Sequence, residues 1–467
     1  MGNKKYKIVI IGSGPGGYVA ALRAGQLGAE TLLIEKEALG GTCLNWGCIP
    51  TKAFVRSAEL FADIQNASSF GLKVESAAVD FPAVVKRKDK IVKRLVGGID
   101  YLLNKNKVEM IAGKASFIDS KKLKIETGTE TMEVEAENII IASGSQASKL
   151  PIPGADLEGI LNSRAVLDLK ELPKSMVIVG GGVIGMEFAF IFRNFGVEVT
   201  VLEYLEQLVS GVDSDIAAEL NRSAKRRQIT VKTSSEVKEI KKKAEGYEVI
   251  YLNKDKKQSV EAEKVLMAVG RRPYTAGLNL EKVGVEITEG RRAVKVNSKM
   301  ETNVEGVYAV GDVTDKILLA HVASHQGVVA VENIMGQERE MNYQAVPGAI
   351  FSSPEIGTVG LSEEEAQAEG IDYKVGSFPF AANGKVMAMG EREGKVKIIA
   401  EKESGKIIGA ALIGIESSDL IAQLTLAVNL NLTADQLAET IYAHPTTSES
   451  VHEAALDLTS GALHYSS

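Results

Sequence analysis

The chain has only two cysteines among its 467 residues, and both lie in the segment GGTCLNWGCIPTK, as Cys43 and Cys48. Pro50 and the following pattern TKAFVRSAELFADI predict that a helix begins near Cys48. A sulfur at a helix N-terminus has a stabilised thiolate and a lowered pKa, which favours a redox-active dithiol. Two buried apolar thiols and half of a metal site are the alternatives, although the nearest histidine is His321.

A second candidate for chemistry is the segment YAHPTTSES near the C-terminus, which contains His444 and, five residues later, Glu449. Thiol–disulfide exchange needs a base near neutral pH, and the ordinary pKa of histidine suits that task. A carboxylate can fix the tautomer of the imidazole and stabilise its charged form. The spacing therefore predicts a base with its orienting carboxylate, and a purely structural histidine is the alternative.

An internal repeat indicates which elements position these side chains. A strand, a Gly-x-Gly-x-x-Gly turn, a helix and a second strand ending in glutamate occur twice, and the copies are offset by 168 residues. The glycines are Gly12, Gly14 and Gly17 in the first copy and Gly180, Gly182 and Gly185 in the second. The terminal acids, Glu35 and Glu203, each lie 18 residues past the third glycine. This order of features predicts two βαβ dinucleotide sites.

Each glycine has a physical role in such a site. The first allows the tight turn, the second lets backbone N–H groups approach a pyrophosphate, and the third lets the helix pack on the strand. We expect Glu35 and Glu203 to accept hydrogen bonds from ribose hydroxyls. Two sites in a reductase indicate one flavin and one nicotinamide cofactor. Glu203 opens the acidic segment EYLEQLV, which favours NAD over NADP because a 2′-phosphate would be repelled there.

Composition excludes several classes of protein. The formal net charge of −7, from 54 basic and 61 acidic residues, argues against binding to nucleic acid. The basic run KRKDKIVKRL (86–95) places Ile91 and Leu95 on one helical face, which favours a solvated amphipathic helix. No stretch of about 18 uncharged apolar residues occurs, so we expect no membrane span and a cytoplasmic location. The Lys- and Glu-rich segment 236–263 alternates as an exposed β-ribbon does.

Further segments complete a resemblance to a known family. They are NIIIASGS (138–145), VLMAVGRRP (265–273), TNVEGVYAVGD (302–312) and the following LLAHVASHQG. With the glycine units, the cysteine pair and HPTxSE, they are similar over essentially the whole chain to the pyridine nucleotide–disulfide oxidoreductases of the CxxxxC type. Tyr442 departs from the family, which often has a second histidine there. Family members with a second redox-active cysteine pair do not fit, because no cysteine follows Cys48.

The resemblance implies an α/β fold with two Rossmann-like dinucleotide-binding domains and an α+β C-terminal dimerisation domain. We expect an FAD domain over 1–148, an NAD domain over 149–272, a central segment over 273–344 that completes the FAD domain, and an interface domain over 345–467.

The resemblance also assigns site residues. The predicted FAD contacts are Gly12, Gly14, Gly17, Glu35, Lys52, Ala115, Asp312, Ala320 and His321. The predicted NAD contacts are Gly180, Gly182, Gly185, Glu187, Glu203, Val237 and Gly270. Asp312 would bind the ribityl chain of the flavin, and Lys52 would lie near the isoalloxazine and pair with Glu187. The i, i+4 spacing of His321 and His325 could indicate a metal, but a helix beside the flavin is preferred and no metal is expected.

The motifs are most similar to those of family members that oxidise protein-bound dihydrolipoamide with NAD⁺. This implies that Cys43 exchanges with the substrate, that Cys48 is the flavin-side thiolate, and that His444 with Glu449 reaches the disulfide of the other subunit of a homodimer. The expected partner is the lipoyl-bearing component of a 2-oxo acid dehydrogenase or glycine-cleavage complex. The alternatives are an NADH-dependent glutathione reductase and an electron-carrying subunit without a free disulfide substrate.

Overall fold

The structure, a computed structural model, describes residues 5–466. The chain forms two compact units: the first contains residues up to 53, 82–148 and 270–342, and the second contains residues 54–81, 149–269 and those from 343 onward. The four-segment division predicted from the sequence stays a prediction. No helix within 5–466 is both long enough and apolar enough to cross a lipid bilayer.

Strands and helices alternate through most of the chain, as expected for the α/β class. The strands are β1 (Lys5–Ile11), β2 (Thr31–Glu35), β3 (Glu109–Ala112), β4 (Lys114–Asp119), β5 (Lys122–Glu126), β6 (Thr131–Ile141), β7 (Ser145–Ala147), β8 (Ile160–Leu161), β9 (Ser175–Val179), β10 (Glu198–Leu202), β11 (Thr230–Lys232), β12 (Ser235–Lys242), β13 (Tyr247–Asn253), β14 (Lys256–Ala262), β15 (Lys264–Met267), β16 (Arg271–Pro273), β17 (Val307–Ala309), β18 (Gly348–Ile350), β19 (Glu355–Gly360), β20 (Tyr373–Pro379), β21 (Lys395–Glu401) and β22 (Ile407–Gly414). The helices are α1 (Pro15–Gln26), α2 (Gly41–Trp46), α3 (Cys48–Gln65), α4 (Phe81–Lys105), α5 (Val183–Asn194), α6 (Ser214–Arg226), α7 (Leu280–Val283), α8 (Ala320–Ile334), α9 (Glu363–Ala368), α10 (Gly384–Ala388), α11 (Ser417–Asn429), α12 (Ala434–Ala438) and α13 (Glu449–Thr459).

The first unit is built on a sheet in the order β3–β2–β1–β6–β5–β4, with β17 beside β6. β1 pairs in parallel with β2 and β6, and β17 pairs in parallel with β6. The strand β2 is buried over its whole length and β1 over most of it, as is typical of strands covered on both faces. Because parallel strands end at one edge of a sheet, the residues that follow β1, β6 and β17 lie together there.

Helices α1 and α8 pack closely within this unit. A Cβ atom added to Gly327 would lie 2.5 Å from the carbonyl oxygen of Gly16, so the two backbones touch. Further along both helices, the Arg23 guanidinium is 2.7 Å from the Glu332 carboxylate, whose side chain is 8% exposed. The strand β17, the turn after it and α8 are thereby fixed against the first glycine turn and its helix.

The second unit repeats this arrangement. Its sheet has the order β11–β10–β9–β15–β8, in which every pair is parallel. The order β11–β10–β9–β15 corresponds to β3–β2–β1–β6 of the first unit, so the predicted internal repeat is confirmed as a repeated βαβ arrangement. The strands β12, β13 and β14 form a separate antiparallel sheet, so the β structure predicted over 236–263 is confirmed. The prediction that this segment is exposed was partly wrong, because Val249 and Tyr251 of β13 are buried in a hydrophobic core.

The C-terminal part of the second unit contains an antiparallel sheet in the order β18–β19–β22–β21–β20. Its core includes Phe378, Phe380 and Ile398 from the sheet side and Leu424 and Val451 from α11 and α13. This α+β arrangement agrees with the predicted class of the C-terminal domain.

The basic run 86–95 lies in α4, so the prediction of a helix is confirmed. The prediction of its faces was partly wrong. Leu95 is 42% exposed, whereas Lys88 is only 3% exposed and lies 2.8 Å from the carboxylate of Asp89. The position of Lys88 shows that a run of basic residues does not by itself define a solvated face.

Candidate active site

The two glycine loops, residues 12–17 and 180–185, have the same backbone geometry. Their first glycines have φ angles of +102° at Gly12 and +108° at Gly180, a region that favours glycine. A Cβ atom added at either position would lie 2.4 Å from a carbonyl oxygen, that of Ala142 or Ala268. Each first glycine therefore lets its loop turn against the neighbouring parallel strand.

The third glycines bring each helix onto its own loop. A Cβ atom at Gly17 would lie 1.8 Å from the carbonyl oxygen of Gly12, and one at Gly185 would lie 1.9 Å from that of Gly180. The second glycines, Gly14 and Gly182, are different, because a Cβ atom added there would meet nothing within 4 Å. At each helix start the backbone is therefore closely packed at the first and third glycines and open at the second.

That open space fits a dinucleotide pyrophosphate. Gly14 and Gly182 are the N-cap residues of α1 and α5, and neither helix start is capped by a side-chain hydrogen bond. The first N–H groups of a helix are unsatisfied within it and attract anions. Both loops are therefore suited to hold phosphate groups, as FAD and NAD would require.

The predicted ribose acids lie beneath their loops. Glu35, 8% exposed, accepts hydrogen bonds from the backbone N–H of Ser13 at 2.8 Å and from its hydroxyl at 2.6 Å. Glu203, 9% exposed, accepts from the backbone N–H groups of Gly181 and Leu205. Because a carboxylate has about four acceptor positions, each acid retains capacity for a ribose hydroxyl. Their role in ribose binding stays a prediction.

The cysteines lie in the segment of residues 40–48, which we call the cysteine loop. Cys43 is in α2 and Cys48 is the first residue of α3, so the predicted helix start is confirmed. A Cβ atom at Gly41 would lie 2.6 Å from the Cα atom of Gly14, and the Gly40 N–H donates to the Ser13 carbonyl at 3.1 Å. The cysteine loop is therefore in direct backbone contact with the first glycine loop.

Both cysteines are partly buried. A hydrogen bond with Cys48, burial, and the negative charge of a Cys48 thiolate raise the pKa of the Cys43 thiol above its usual range, and the Lys52 ammonium opposes them. Loss of a proton from one thiol therefore disfavours its loss from the other. A closely spaced pair of cysteines of this kind suits thiol–disulfide exchange.

Asp312 lies in a short 3-10 turn (Gly311–Thr314) that follows β17. Its carboxylate accepts a hydrogen bond from the hydroxyl of Ser145 at 2.5 Å and lies 4.0 Å from the Arg271 guanidinium. Ala320 and His321 begin α8, and both His321 and His325 are exposed on that helix. The predicted flavin contacts at these positions are thus in the same unit as the dithiol.

The predicted base and its carboxylate are brought together. The Nδ1 atom of His444 lies 2.8 Å from Oε1 of Glu449, whose other oxygen accepts from the Thr446 N–H at 2.8 Å. Burial acts to raise the pKa of Glu449, but these hydrogen bonds and the imidazole charge hold that pKa below its usual value. The His444 side chain is 79% exposed, so its other ring nitrogen can reach a partner.

The remaining predicted residues lie in defined elements. Lys52 is in α3, one helical turn after Cys48, and Ala115 is 4% exposed in β4. Glu187 is 4% exposed in α5 and accepts a hydrogen bond from the Phe351 N–H at 3.1 Å. Val237 is in β12, and Gly270 falls within the first unit rather than with the second glycine loop. The predicted ligand contacts of these residues, and the Lys52–Glu187 pair, stay predictions.

One carboxylate cluster among residues 5–466 has the spacing of a metal site: Asp213, Asp215 and Glu363. The ammonium of Lys397, whose side chain is 2% exposed, forms ion pairs with all three, at 2.7 Å to Asp213 and 2.9 Å to Asp215. The lysine supplies the positive charge that these acids need, so we assign the cluster to an ion-pair network.

Sequence reasoning missed several residues of the site. Ser13 and Gly41 join the first glycine loop to Glu35 and to the cysteine loop. Ser145 and Arg271 surround Asp312, although both lie in segments that the family motifs had marked. Neither residue type indicates a role by itself. The roles of Ser145 and Arg271 become apparent only when the folded strands bring both residues next to Asp312.

Comparison with known proteins extends over the whole chain. Residues 6–327 match the model of the family described as pyridine nucleotide-disulphide oxidoreductase, and residues 346–455 match its dimerisation domain. The chain is 42% identical over 460 residues to a dihydrolipoyl dehydrogenase of Bacillus subtilis, covering 98% of this chain and 99% of that protein. It is 41% identical over 463 residues to one of Halobacterium salinarum, covering 98% and 97%.

Solved structures show the same likeness. LpdA from Mycobacterium tuberculosis superposes with a TM-score of 0.90 at 29% identity, covering 98% of this chain and all of that one (100%). The HOCl-induced flavoprotein disulfide reductase RclA from Escherichia coli gives a TM-score of 0.86 at 30% identity, covering 96% and 98%.

Proposed function

Since the chain belongs to the pyridine nucleotide-disulphide oxidoreductase family, we propose that it oxidises protein-bound dihydrolipoamide to lipoamide through the Cys43–Cys48 pair and FAD, reducing NAD⁺ to NADH. Its curated relatives are named dihydrolipoyl dehydrogenase at about 40% identity over nearly their full length. The observation that carries the proposal is the dithiol that lies against a glycine loop suited to a dinucleotide. This arrangement couples a two-electron thiol reaction to a bound cofactor.

The thiol half-reaction uses the roles that the family resemblance implies, with Cys43 as the sulfur that exchanges with the substrate and Cys48 as the flavin-side sulfur. A substrate thiolate attacks the sulfur of Cys43 in the disulfide form, so a mixed disulfide forms and Cys48 leaves as a thiolate. The second substrate thiol then attacks the substrate sulfur of that mixed disulfide, which releases oxidised lipoamide and the Cys43 thiol. Two electrons have then passed from the substrate to the cysteine pair.

His444 acts as the base in this exchange. It accepts the proton of the attacking substrate thiol, and Glu449, at 2.8 Å from Nδ1, fixes the imidazole so that the other ring nitrogen faces the substrate. Because the carboxylate of Glu449 has a lowered pKa, it stays ionised while the imidazole gains charge. We place this pair opposite the dithiol of the second subunit.

Two cofactors complete the reaction. When bound, FAD supplies the two-electron carrier between the dithiol and NAD⁺. The first glycine loop, Glu35 and Asp312 would hold FAD, and the second glycine loop with Glu203 would hold NAD⁺. The carboxylate of Glu203 disfavours a 2′-phosphate at this position, which supports NAD over NADP.

Two observations support a homodimer. Residues 346–455 match the family's dimerisation domain, and this region leaves Leu426, Leu430 and Ile441 exposed at 56%, 57% and 97%. The partner that presents the substrate would be the lipoyl-bearing component of a 2-oxo acid dehydrogenase or glycine-cleavage complex.

Steady-state assays of the purified protein test the proposal. NADH or NADPH is supplied as the reductant, and lipoamide or oxidised glutathione as the disulfide. We expect rapid turnover with NADH and lipoamide and slow turnover with every other combination. Rapid NADPH-dependent reduction of glutathione would contradict the proposal.

A further inference from the structure

The carboxylate predicted to contact the flavin is connected to a partly buried arginine, Arg271, to which the family resemblance assigned no role. Arg271 donates from Nε to the hydroxyl of Ser145 at 2.8 Å and from Nη2 to the carbonyl oxygen of Ser145 at 2.8 Å. The same hydroxyl donates to Oδ2 of Asp312 at 2.5 Å. The Arg271 and Asp312 side chains are 18% and 24% exposed, so the chain of contacts is largely shielded from water.

The chemistry of the three groups fixes the direction of these hydrogen bonds. A guanidinium has only donors and an ionised carboxylate has only acceptors. The Ser145 hydroxyl must therefore accept from Arg271, and its single proton must point to Asp312. Polarisation by the cation strengthens the second hydrogen bond. Oδ2 is thereby engaged within the protein, which orients Oδ1 for a ligand.

The backbone holds both ends of this connection. Arg271 lies in β16, which pairs antiparallel with β7, where Ser145 is the first residue. The backbone oxygen of Arg271 accepts from Nη2 of Arg291 at 3.0 Å, and the same nitrogen lies 2.8 Å from Oδ1 of Asp315, just beyond the turn that carries Asp312. The β7–β16 ladder and the Asp312 turn are thus connected through side chains on two sides.

We propose that Arg271 is a positioning residue that acts through Ser145 to fix the Asp312 carboxylate for the ribityl chain of FAD. The inference rests on the proposed function, because it takes Asp312 as a flavin contact. Burial lowers the pKa of Arg271, whereas the charges of Asp312 and of a Cys48 thiolate raise it, which agrees with a partly buried cation 4.0 Å from the Asp312 carboxylate. Arg271 would therefore act on the cofactor only through Ser145 and Asp312.

The experiment measures FAD binding to the apoprotein by flavin fluorescence, in Arg271→Met, Ser145→Ala and the double variant. Arg272→Met is the matched control, because Arg272 is the adjacent, exposed residue of the same strand. We expect each single variant to raise the Kd for FAD by at least about tenfold, since a hydrogen bond to a charged group is lost. The control should stay within about twofold, and Arg271→Lys should recover part of the affinity.

Action through Ser145 has a specific signature, because the double variant should bind FAD no more weakly than the weaker single variant. Additive losses in the double variant would overturn the proposal, and so would unchanged FAD affinity in Arg271→Met. A thermal shift of the apoprotein without any change in FAD affinity would reduce Arg271 to a structural clamp of the β7–β16 ladder and would also overturn it. Failure of the wild-type apoprotein to bind FAD would instead contradict the proposed function.

Discussion

The two glycine loops share their glycine geometry and differ at the residue after the first glycine. In the first loop this residue is Ser13, whose hydroxyl and N–H both donate to Glu35. In the second loop it is Gly181, where an added Cβ atom would lie 2.6 Å from the Leu208 side chain and 3.0 Å from Cβ of Glu203. The same βαβ arrangement therefore accepts a side chain in one copy and excludes it in the other.

The neighbours of each loop explain this difference. Ser13 lies beside the cysteine loop, since its carbonyl and hydroxyl oxygens both accept from the Gly40 N–H. Gly181 lies beside the segment after Glu203, and its carbonyl oxygen accepts from the Val209 N–H at 2.9 Å. The first glycine loop thus packs against the cysteine loop, whereas the second packs against the segment that follows Glu203, the predicted ribose acid. The two copies of the βαβ arrangement therefore differ in the segment that packs on each loop.

The largest effect is expected from the feature that only the first loop has. Cys48→Ser removes the sulfur that must leave as a thiolate, so lipoamide turnover should fall to background. The Gly14–Gly41 contact is unchanged by this substitution, so the absorbance of bound flavin should persist. If Cys48→Ser lost its bound flavin as well as its activity, flavin binding would depend on the sulfur and not on the backbone contact between the two loops.

The second largest effect concerns the base that lies in the second unit. His444→Gln should slow the thiol half-reaction by roughly 10²–10⁴-fold, the usual contribution of a general base. Oxidation of NADH by a dye that accepts electrons from flavin should change little, because no thiol proton is transferred. Equal losses in the two assays would contradict the assigned role.

A smaller effect is expected from making the two loops alike. Gly181→Ser forces a side chain against Leu208 and Glu203, so the Kd for NAD⁺ should rise by about tenfold or more, while FAD content stays constant. The matched variant is Gly182→Ala, whose Cβ atom meets no protein atom and interferes only with a bound pyrophosphate. Equal NAD⁺ affinity in Gly181→Ser and the wild type would remove the proposed distinction between the loops.

The reverse exchange should have a weaker effect on cofactor binding. Ser13→Gly deletes the 2.6 Å hydrogen bond to Glu35, which is worth about 1.5–3 kcal/mol for a charged acceptor, but the N–H bond at 2.8 Å remains. We expect a lower thermal midpoint of the apoprotein and slightly weaker FAD retention, measured by calorimetry and fluorescence. A larger loss of NAD⁺ affinity than of FAD affinity would contradict the assignment of the two loops.

The smallest effect concerns pH and the His444–Glu449 pair. A carboxyl whose pKa is depressed in the folded state adds stability above its unfolded pKa, and that stability is lost as pH falls through the folded pKa. Glu449→Gln should therefore lower the free energy of unfolding near neutral pH by less than about 1 kcal/mol, because the pair is exposed. Denaturant titrations of both proteins should converge in strong acid, and a constant difference at every pH would exclude an ionic contribution.

The sequence was informative where chemistry depends on local spacing. The glycine loops, the helix start at Cys48 and the His444–Glu449 pair each lie within a few residues, so their geometry follows from one turn or one helix. The Ser145 connections could not be predicted in this way. They span 126 residues to Arg271 and 167 to Asp312, and only the assembled sheet brings those segments together.

The burial of Lys88 and Lys397 shows a second limit. A lysine is normally solvated, and only its tertiary partners decide otherwise. For Lys397 those partners come from the start of α6 and from α9, far apart in the sequence. The sequence pattern therefore predicts the positions of reactive groups better than it predicts buried ion pairs.

The contact between Gly14 and Gly41 also limits how this protein could be re-engineered. Because a Cβ atom at residue 41 would lie 2.6 Å from the Cα atom of Gly14, a donor segment with any residue other than glycine at position 41 would collide with the cofactor turn. A chimaera that replaces residues 12–17 alone would bring a foreign loop against a fixed partner. We expect functional chimaeras to have crossover points outside residues 12–48, so this stretch behaves as one unit of recombination.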